Sequence, residues 1–283
     1  MSKPIIELKE LSVKYPGEKQ YALRDISIQI SKGEITCIMG PAGAGKTTLC
    51  LCLNGLIPNS IKCHIDGIVN VMGNDTRFHK VSDFSKYVGI VFQDPDTQLF
   101  CSSVEEEVGY ILSVRSLPRE LIKDRVREFL DKVGLSGYED RAPHSLSGGE
   151  KQKVAIASVL SLKPEILVLD EPTSQLDPLG TADVFDLIED LSRKDNMTIL
   201  MTEHKSEEIA EIADRILVLV NGKIGLEGNP RKVFGEPLLL DRFGIKPPQI
   251  SEAFQILLEK GFIKSFVPVT YEEAIISSKK YLF

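Results

Sequence analysis

A chain of 283 residues, 42% hydrophobic and 27% charged, can bury a substantial core in one large domain or two smaller ones, which excludes a disordered chain. Its net charge of −7, with basic residues gathered only in short pairs such as Lys279-Lys280, gives no general electrostatic case for binding nucleic acid, and no nucleic-acid partner is expected. No apolar run reaches the ~18 residues of a membrane-spanning helix, and residues 1–7 lack the apolar core of a secretory signal, so a cytosolic chain is expected.

From residue 5 to 30 apolar and polar residues alternate, as in Ile6-Glu7-Leu8-Lys9 and Ile26-Ser27-Ile28-Gln29-Ile30, which predicts an antiparallel sheet with a turn at Pro16-Gly17. Tyr15, just before that turn, is placed either to pack as a half-buried strand tyrosine or to stack on a ligand ring. The next apolar run, Ile35-Thr36-Cys37-Ile38-Met39, leads into Gly40-Pro41-Ala42-Gly43-Ala44-Gly45-Lys46-Thr47-Thr48 and then a helix-forming stretch. Strand, G-x-x-x-x-G-K-T and helix make a phosphate-binding loop. Its glycines let successive N–H groups turn toward phosphate oxygens, the new helix adds its N-terminal donors, Lys46 adds a full charge and Thr47 offers a hydroxyl to Mg²⁺. The expected ligand is a nucleoside triphosphate.

Strands are predicted at 67–71 and 87–92, the second ending at Gln93, whose carboxamide is suited to Mg²⁺ or a water. Helical character follows from 103 to 162. Ser103 with Glu106 reads as a capping box, Glu105-Glu106-Glu107 as a solvated helix start, and Ile122, Val126, Phe129, Leu130 and Val133 as one apolar face stopped by Gly134. In Leu146-Ser147-Gly148-Gly149-Glu150, Ser147 is a plausible cap and two glycines expose backbone N–H groups, a second potential anion site. The run Ile166-Leu167-Val168-Leu169-Asp170-Glu171 predicts a buried parallel strand ending in two carboxylates, Asp170 toward Mg²⁺ and Glu171 toward an attacking water. A helix at 182–193 leads to strand 198–202, after which His204 is placed to reach a γ-phosphate. Asn221-Gly222 marks a hairpin. Beyond about residue 236 come an amphipathic helix ended by Gly261 and a second helix capped by Thr270 with Glu273. Cys37, Cys50, Cys52, Cys63 and Cys101 have no metal-ligand spacing and read as small buried hydrophobes; the Cys63-His64 pair lacks a second pair and is not read as a metal site.

The ordered motifs resemble the ATP-binding-cassette (ABC) ATPases over residues 5–235. Tyr15 matches the adenine-stacking aromatic, the 40–48 loop Walker A, Gln93 the Q-loop, Ser147-Gly148-Gly149-Glu150 the signature, Asp170-Glu171 Walker B, Ser174-Gln175-Leu176-Asp177 the D-loop and His204 the switch histidine. Phe92-Gln93-Asp94-Pro95-Asp96-Thr97-Gln98-Leu99-Phe100, Thr202-Glu203-His204 and the short tail with Pro247-Pro248 are similar to the ATPase subunits of energy-coupling factor (ECF) importers, including the cobalt-transport type. Gln175 departs from the more common Ala, and Pro41-Ala42-Gly43-Ala44 from a Ser/Asn-rich loop.

The resemblance implies an α/β P-loop core over residues 1–235 with an antiparallel β-subdomain and a helical insertion near 94–163, followed by an α-rich extension at 236–283 that serves dimerisation. It implies ATP and Mg²⁺ as ligands, with Thr47, Gln93 and Asp170 toward the metal, and catalysis by Glu171, His204, Gln93 and Lys46. Nucleotide contacts would come from Tyr15, from the 40–48 loop, and from Ser147, Gly148, Gly149, Glu150 and Asp177. Implied partners are a second ABC ATPase subunit, identical or different, a transmembrane energy-coupling subunit and a substrate-binding membrane subunit, with the chain held peripherally on the cytoplasmic face of the membrane. The alternatives are a soluble ABC ATPase unconnected with transport, disfavoured by the lack of a coiled-coil insertion or tandem cassette, and a silent nucleotide-binding regulator, disfavoured by Lys46, Glu171 and His204.

Overall fold

The computed structural model describes residues 4–263 and 267–282; the reading of residues 1–3 as part of a non-secretory N-terminus lies outside the described residues. Along the chain, β1 (Ile6–Lys14), β2 (Leu23–Ile30) and β3 (Ile35–Met39) lead into α1 (Lys46–Leu53) and the short α2 (Leu56–Asn59). After these come β4 (His64–Val71), β5 (Asn74–Asp75), α3 (Val81–Phe84) and β6 (Val88–Val91). Three helices follow, α4 (Val104–Val114), α5 (Arg119–Lys132) and α6 (Gly148–Leu160), packed on one another. Then strands and helices alternate as β7 (Ile166–Asp170), α7 (Pro178–Arg193), β8 (Thr198–Thr202), α8 (Ser206–Ile212), β9 (Arg215–Val220) and β10 (Lys223–Gly228). The chain ends in α9 (Pro230–Phe234), α10 (Pro237–Arg242), α11 (Gln249–Glu259) and α12 (Tyr271–Leu282). Among the described residues no helix is long and apolar enough to cross a membrane.

The alternating N-terminal segment supplies β1 and β2 of an antiparallel sheet of order β2-β1-β4-β5. The continuous apolar runs form the second sheet, β10-β9-β3-β8-β7-β6, parallel except for the β9/β10 hairpin at Asn221-Gly222. These runs are continuous because both faces of the sheet are covered. Ile35, Cys37 and Met39 of β3, Leu167 and Leu169 of β7 and Ile199 and Met201 of β8 pack toward the helices, while Ile38, Val168 and Leu200 pack toward the antiparallel sheet and α1. Phe254, Ile263 and Ala274 add a small satellite core.

Strand order decides where the site lies. In the ladder Ile38 pairs with Thr202, and Thr202 with Asp170, so β3, β8 and β7 end together, and the residues just beyond them share one sheet edge.

Three local expectations need correction. Glu107 is buried, not solvated: it shares the inward face of α4 with Val104 and Val108, and its carboxylate accepts the N–H groups of Phe100 and Cys101, both at 2.8 Å. Two backbone donors offset the desolvation of that charge. The box at α4 is only half formed, because Ser103 caps Glu106 N–H while the Glu106 carboxylate turns to Ser102. At α12 the expected cap is present, Thr270 accepting the Glu273 N–H, while the Glu273 carboxylate takes Val269 N–H. Cys37, Cys50 and Cys52 are buried as expected, but Cys63 and Cys101 are only half-buried.

Candidate functional site

The loop after β3 is shaped by close approach. Gly40 (φ +153°) and Gly45 (φ +105°) lie where an added Cβ would come within 2.2 Å of Leu219 O and 2.3 Å of Ala22 O, so side chains are excluded at both. Between them Ala44 accepts the Gly222 N–H at 3.1 Å, which seats the loop on the β9/β10 hairpin. Pro41, Ala42, Gly43 and Thr47 remain at least partly open to solvent, whereas Thr48 is buried and its Oγ1 lies 3.1 Å from the Tyr15 hydroxyl. Tyr15, half-buried at the end of β1, is thereby pinned beside the start of α1.

Lys46 folds back over its own loop. Its ammonium, 6% exposed, donates to Gly40 O at 3.0 Å and Pro41 O at 3.4 Å, and lies 3.4 Å from Glu171 Oε1 and 3.1 Å from His204 Nε2. His204 Nε2 is also 3.1 Å from Glu171 Oε1, so the tautomer decides between accepting from Lys46 and donating to Glu171. Gln93 Nε2 donates to the other Glu171 oxygen at 3.0 Å. Lys46, Gln93 and His204, up to 158 positions apart in sequence, thus meet around the one carboxylate of Glu171.

Glu171 reaches that place because the strand ends in a left-handed residue, φ +49°. The unusual backbone is held by Thr202, whose hydroxyl and carbonyl accept the Glu171 N–H at 2.9 and 3.1 Å, while the same hydroxyl donates to Asp170 Oδ1 at 2.6 Å. Asp170 is itself 5% exposed. Behind the loop, burial pushes the Cys37 thiol well up, with the Glu203 carboxylate adding to it; burial likewise raises Cys50, with Asp170 adding. Both are inert thiols.

The second glycine turn is built as a cap. Ser147 Oγ accepts the Glu150 N–H, and the Glu150 carboxylate accepts the Ser147 N–H at 2.7 Å and the Tyr138 hydroxyl at 2.7 Å, bonds that hold this carboxyl below its ordinary range in that order of weight. Gly148 and Gly149 abut Leu176 and Gly180, and Asp177 caps α7 through the Gly180 N–H at 2.7 Å. The structure therefore brings this turn against the 174–177 loop and not against the phosphate loop; among the described residues no hydrogen bond or ion pair joins the two glycine turns.

Four residues gain roles that sequence reasoning did not assign: Thr202, Thr173, Glu203 and Lys205. A threonine closing a buried strand was the available signal for Thr202. The other three act only through contacts that the fold creates.

A glycine loop that opens a helix from a central parallel strand, with a lysine laid into it, makes this a P-loop nucleotide-binding protein. The ABC transporter family profile matches residues 23–174. The chain is 45% identical to a putative ABC transporter ATP-binding protein of Pyrococcus abyssi, over 98% of this chain and 99% of that one. It is 41% identical to the energy-coupling factor transporter ATP-binding protein EcfA of Methanothermobacter thermautotrophicus, over 96% and 86%. Among solved structures it resembles cbiO1 of Clostridium perfringens, described as part of the ABC transporter complex cbiONQ, with TM-score 0.77 and 32% identity over 90% of this chain and 100% of that one. It also resembles the cassette MJ0796, solved as a dimer bound to ADP and Pi, with TM-score 0.70 and 28% identity over 80% and 99%. The chain belongs to the ABC transporter ATP-binding family. Its likeness to EcfA and to cbiO1 supports the ECF and cobalt type within that family, and ATP hydrolysis is the family's chemistry.

Replacing Lys46 by alanine leaves the backbone donors of the loop in place but removes its cation. ATP affinity is expected to fall about 10- to 100-fold, the worth of one hydrogen bond to a charged group, without vanishing. Calorimetry with ATP checks this, and an unchanged affinity would contradict it.

Proposed function

We propose that the protein is the ATP-hydrolysing subunit of an ECF-type importer that takes up a vitamin or a transition-metal ion of the cobalt/nickel kind through a membrane partner. The observation that carries this is the meeting of Lys46, Gln93, His204 and Glu171 at one sheet edge beside the phosphate loop. In this reading Glu171 takes the proton from the attacking water, His204 and Lys46 face the γ-phosphate, and Gln93 orients Glu171. The 40–48 loop binds the phosphates and Tyr15 meets the adenine.

The donors at the site fit Mg²⁺, a hard cation that takes oxygen ligands and shares them with phosphate. Thr47 offers an exposed hydroxyl at the start of α1, Asp170 a carboxylate at the end of β7 and Gln93 a carboxamide. When bound, the ion neutralises phosphate charge.

The domain division follows the same reading: a cassette over residues 1–235 with a helical subdomain near 94–163, and an extension at 236–283. That extension exposes Ile256, Phe262, Ile275 and Ile276, which suits contact with a second subunit. Two subunits would meet head to tail, each presenting Ser147, Gly148, Gly149 and Asp177 to the nucleotide of the other, and would sit peripherally on the cytoplasmic face against an energy-coupling subunit and a substrate-binding subunit. The test is phosphate release by the purified chain with ATP and Mg²⁺, together with co-purification from membranes. Hydrolysis and recovery of transmembrane partners are expected. Hydrolysis by a chain that no membrane protein accompanies would favour a soluble ABC ATPase.

A further inference from the structure

The residues on either side of His204 are both fastened to the threonines that flank the 174–177 loop. Glu203 is 1% exposed, a carboxylate withdrawn almost wholly from water. One of its oxygens accepts the Thr173 hydroxyl, and the other accepts the main-chain N–H of His204 at 2.6 Å. A buried carboxylate is costly unless its lone pairs are taken, and both partners here are spent on orienting neighbours. Lys205, on the other side, donates to Thr173 O at 3.2 Å and to Thr181 Oγ1. Lysine ammonium groups ordinarily reach into water, because ordering four methylenes costs entropy. This one is held by two neutral oxygens belonging to the two ends of a single loop.

We propose that Lys205, with the buried carboxylate of Glu203, is a positioning residue that locks the Ser174-Gln175-Leu176-Asp177 loop to the His204 switch. Thr173 enters the loop and is gripped twice, by its hydroxyl and by its carbonyl. Thr181 leaves it, one turn into α7, and is gripped once. Between them Leu176 and Gly180 lie against Gly148 and Gly149, so the fastening continues as packed atoms from His204 to the second glycine turn. A shift of His204 on its phosphate therefore moves the loop and the turn as one body. This rests on the ATPase reading above. Lys205 itself touches neither Glu171 nor Lys46; its contribution to turnover is the placement of the loop.

The experiment compares Lys205→Met, Lys205→Arg and Thr181→Val, alone and with Lys205→Met, in the full-length chain. Steady-state hydrolysis gives kcat and KM, calorimetry in a Glu171→Gln background gives ATP affinity, and a melting curve reports the fold. Lys205→Met is expected to lose about tenfold in kcat while ATP affinity stays within about twofold, the pattern of an interaction made on the way to reaction rather than in binding. Lys205→Arg, which still donates to both oxygens, should restore most of the loss. Thr181→Val should lose kcat in the same direction and add little to Lys205→Met, since the two remove the same contact. If the wild type hydrolyses ATP and Lys205→Met stays within about twofold of it, or if the losses of Lys205→Met and Thr181→Val multiply, the inference is overturned while the ATPase reading stands. No hydrolysis by the wild type would overturn both.

Discussion

Replacing Glu171 by glutamine is expected to lower steady-state ATP hydrolysis about 10²–10⁴-fold, the usual worth of a positioned general base, while ATP binding is retained. Glutamine keeps the length and planarity of the side chain and one oxygen able to accept from Gln93. It loses the lone pair that takes a proton from water, and it loses the negative charge 3.4 Å from the Lys46 ammonium. That second change releases Lys46 from its carboxylate partner, so ATP affinity should be unchanged or higher. The backbone consequence is small, because the left-handed turn at 171 is held through its N–H by Thr202, independently of the side chain. Near-normal phosphate release by Glu171→Gln would remove Glu171 from the catalytic role.

The second large effect concerns assembly. In the Glu171→Gln background, where turnover is blocked, ATP with Mg²⁺ is expected to shift the chain to a dimer in sedimentation, and adding Gly149→Asp is expected to abolish the shift. The structure makes this a clean substitution for the isolated chain. Gly149 has an ordinary helical backbone, and a Cβ there would meet only Gly180 Cα at 3.5 Å, a normal contact. A carboxylate in the first turn of α6 would, if anything, favour the helix dipole. The monomer should therefore fold and bind ATP through its phosphate loop as before. Only in a sandwich, with Ser147 and Gly149 facing the γ-phosphate of the partner's nucleotide, does the new charge meet a like charge with little water between. A double variant that dimerises with ATP as readily as Glu171→Gln alone would rule out that arrangement.

Much of the site was legible because its signals are local. The glycine spacing at 40, 43 and 45 with Lys46, and Asp170-Glu171 closing an apolar run, are backbone and strand-end requirements that a few consecutive residues satisfy. The cap read at Ser147 formed, and the structure adds Glu150 to it as a reciprocal box that closes within one turn. Where the reading went wrong, a second element intervened. Glu107 looked like one of three solvated acids, yet the turn at Phe100-Cys101 lays two N–H groups over it and draws it inward. Glu106 fits a box with Ser103 by spacing, but the adjacent Ser102 offers its carboxylate both an N–H and a hydroxyl.

The sequence by itself determined the class of sheet, the phosphate loop, the strand-end carboxylates and the hairpin, because each follows from the chain's period or from the conformational limits of a few residues. Only the tertiary structure decided that Gln93, Glu171, His204 and Lys46 converge, since that depends on β8 lying between β3 and β7, an order fixed by crossovers through helices and not by any local pattern. It also decided the second life of Glu203 and Lys205. Their neighbours in sequence mark the switch, but their partners Thr173 and Thr181 lie 24 to 32 positions away, and no spacing rule connects side chains across that distance until the sheet places them side by side.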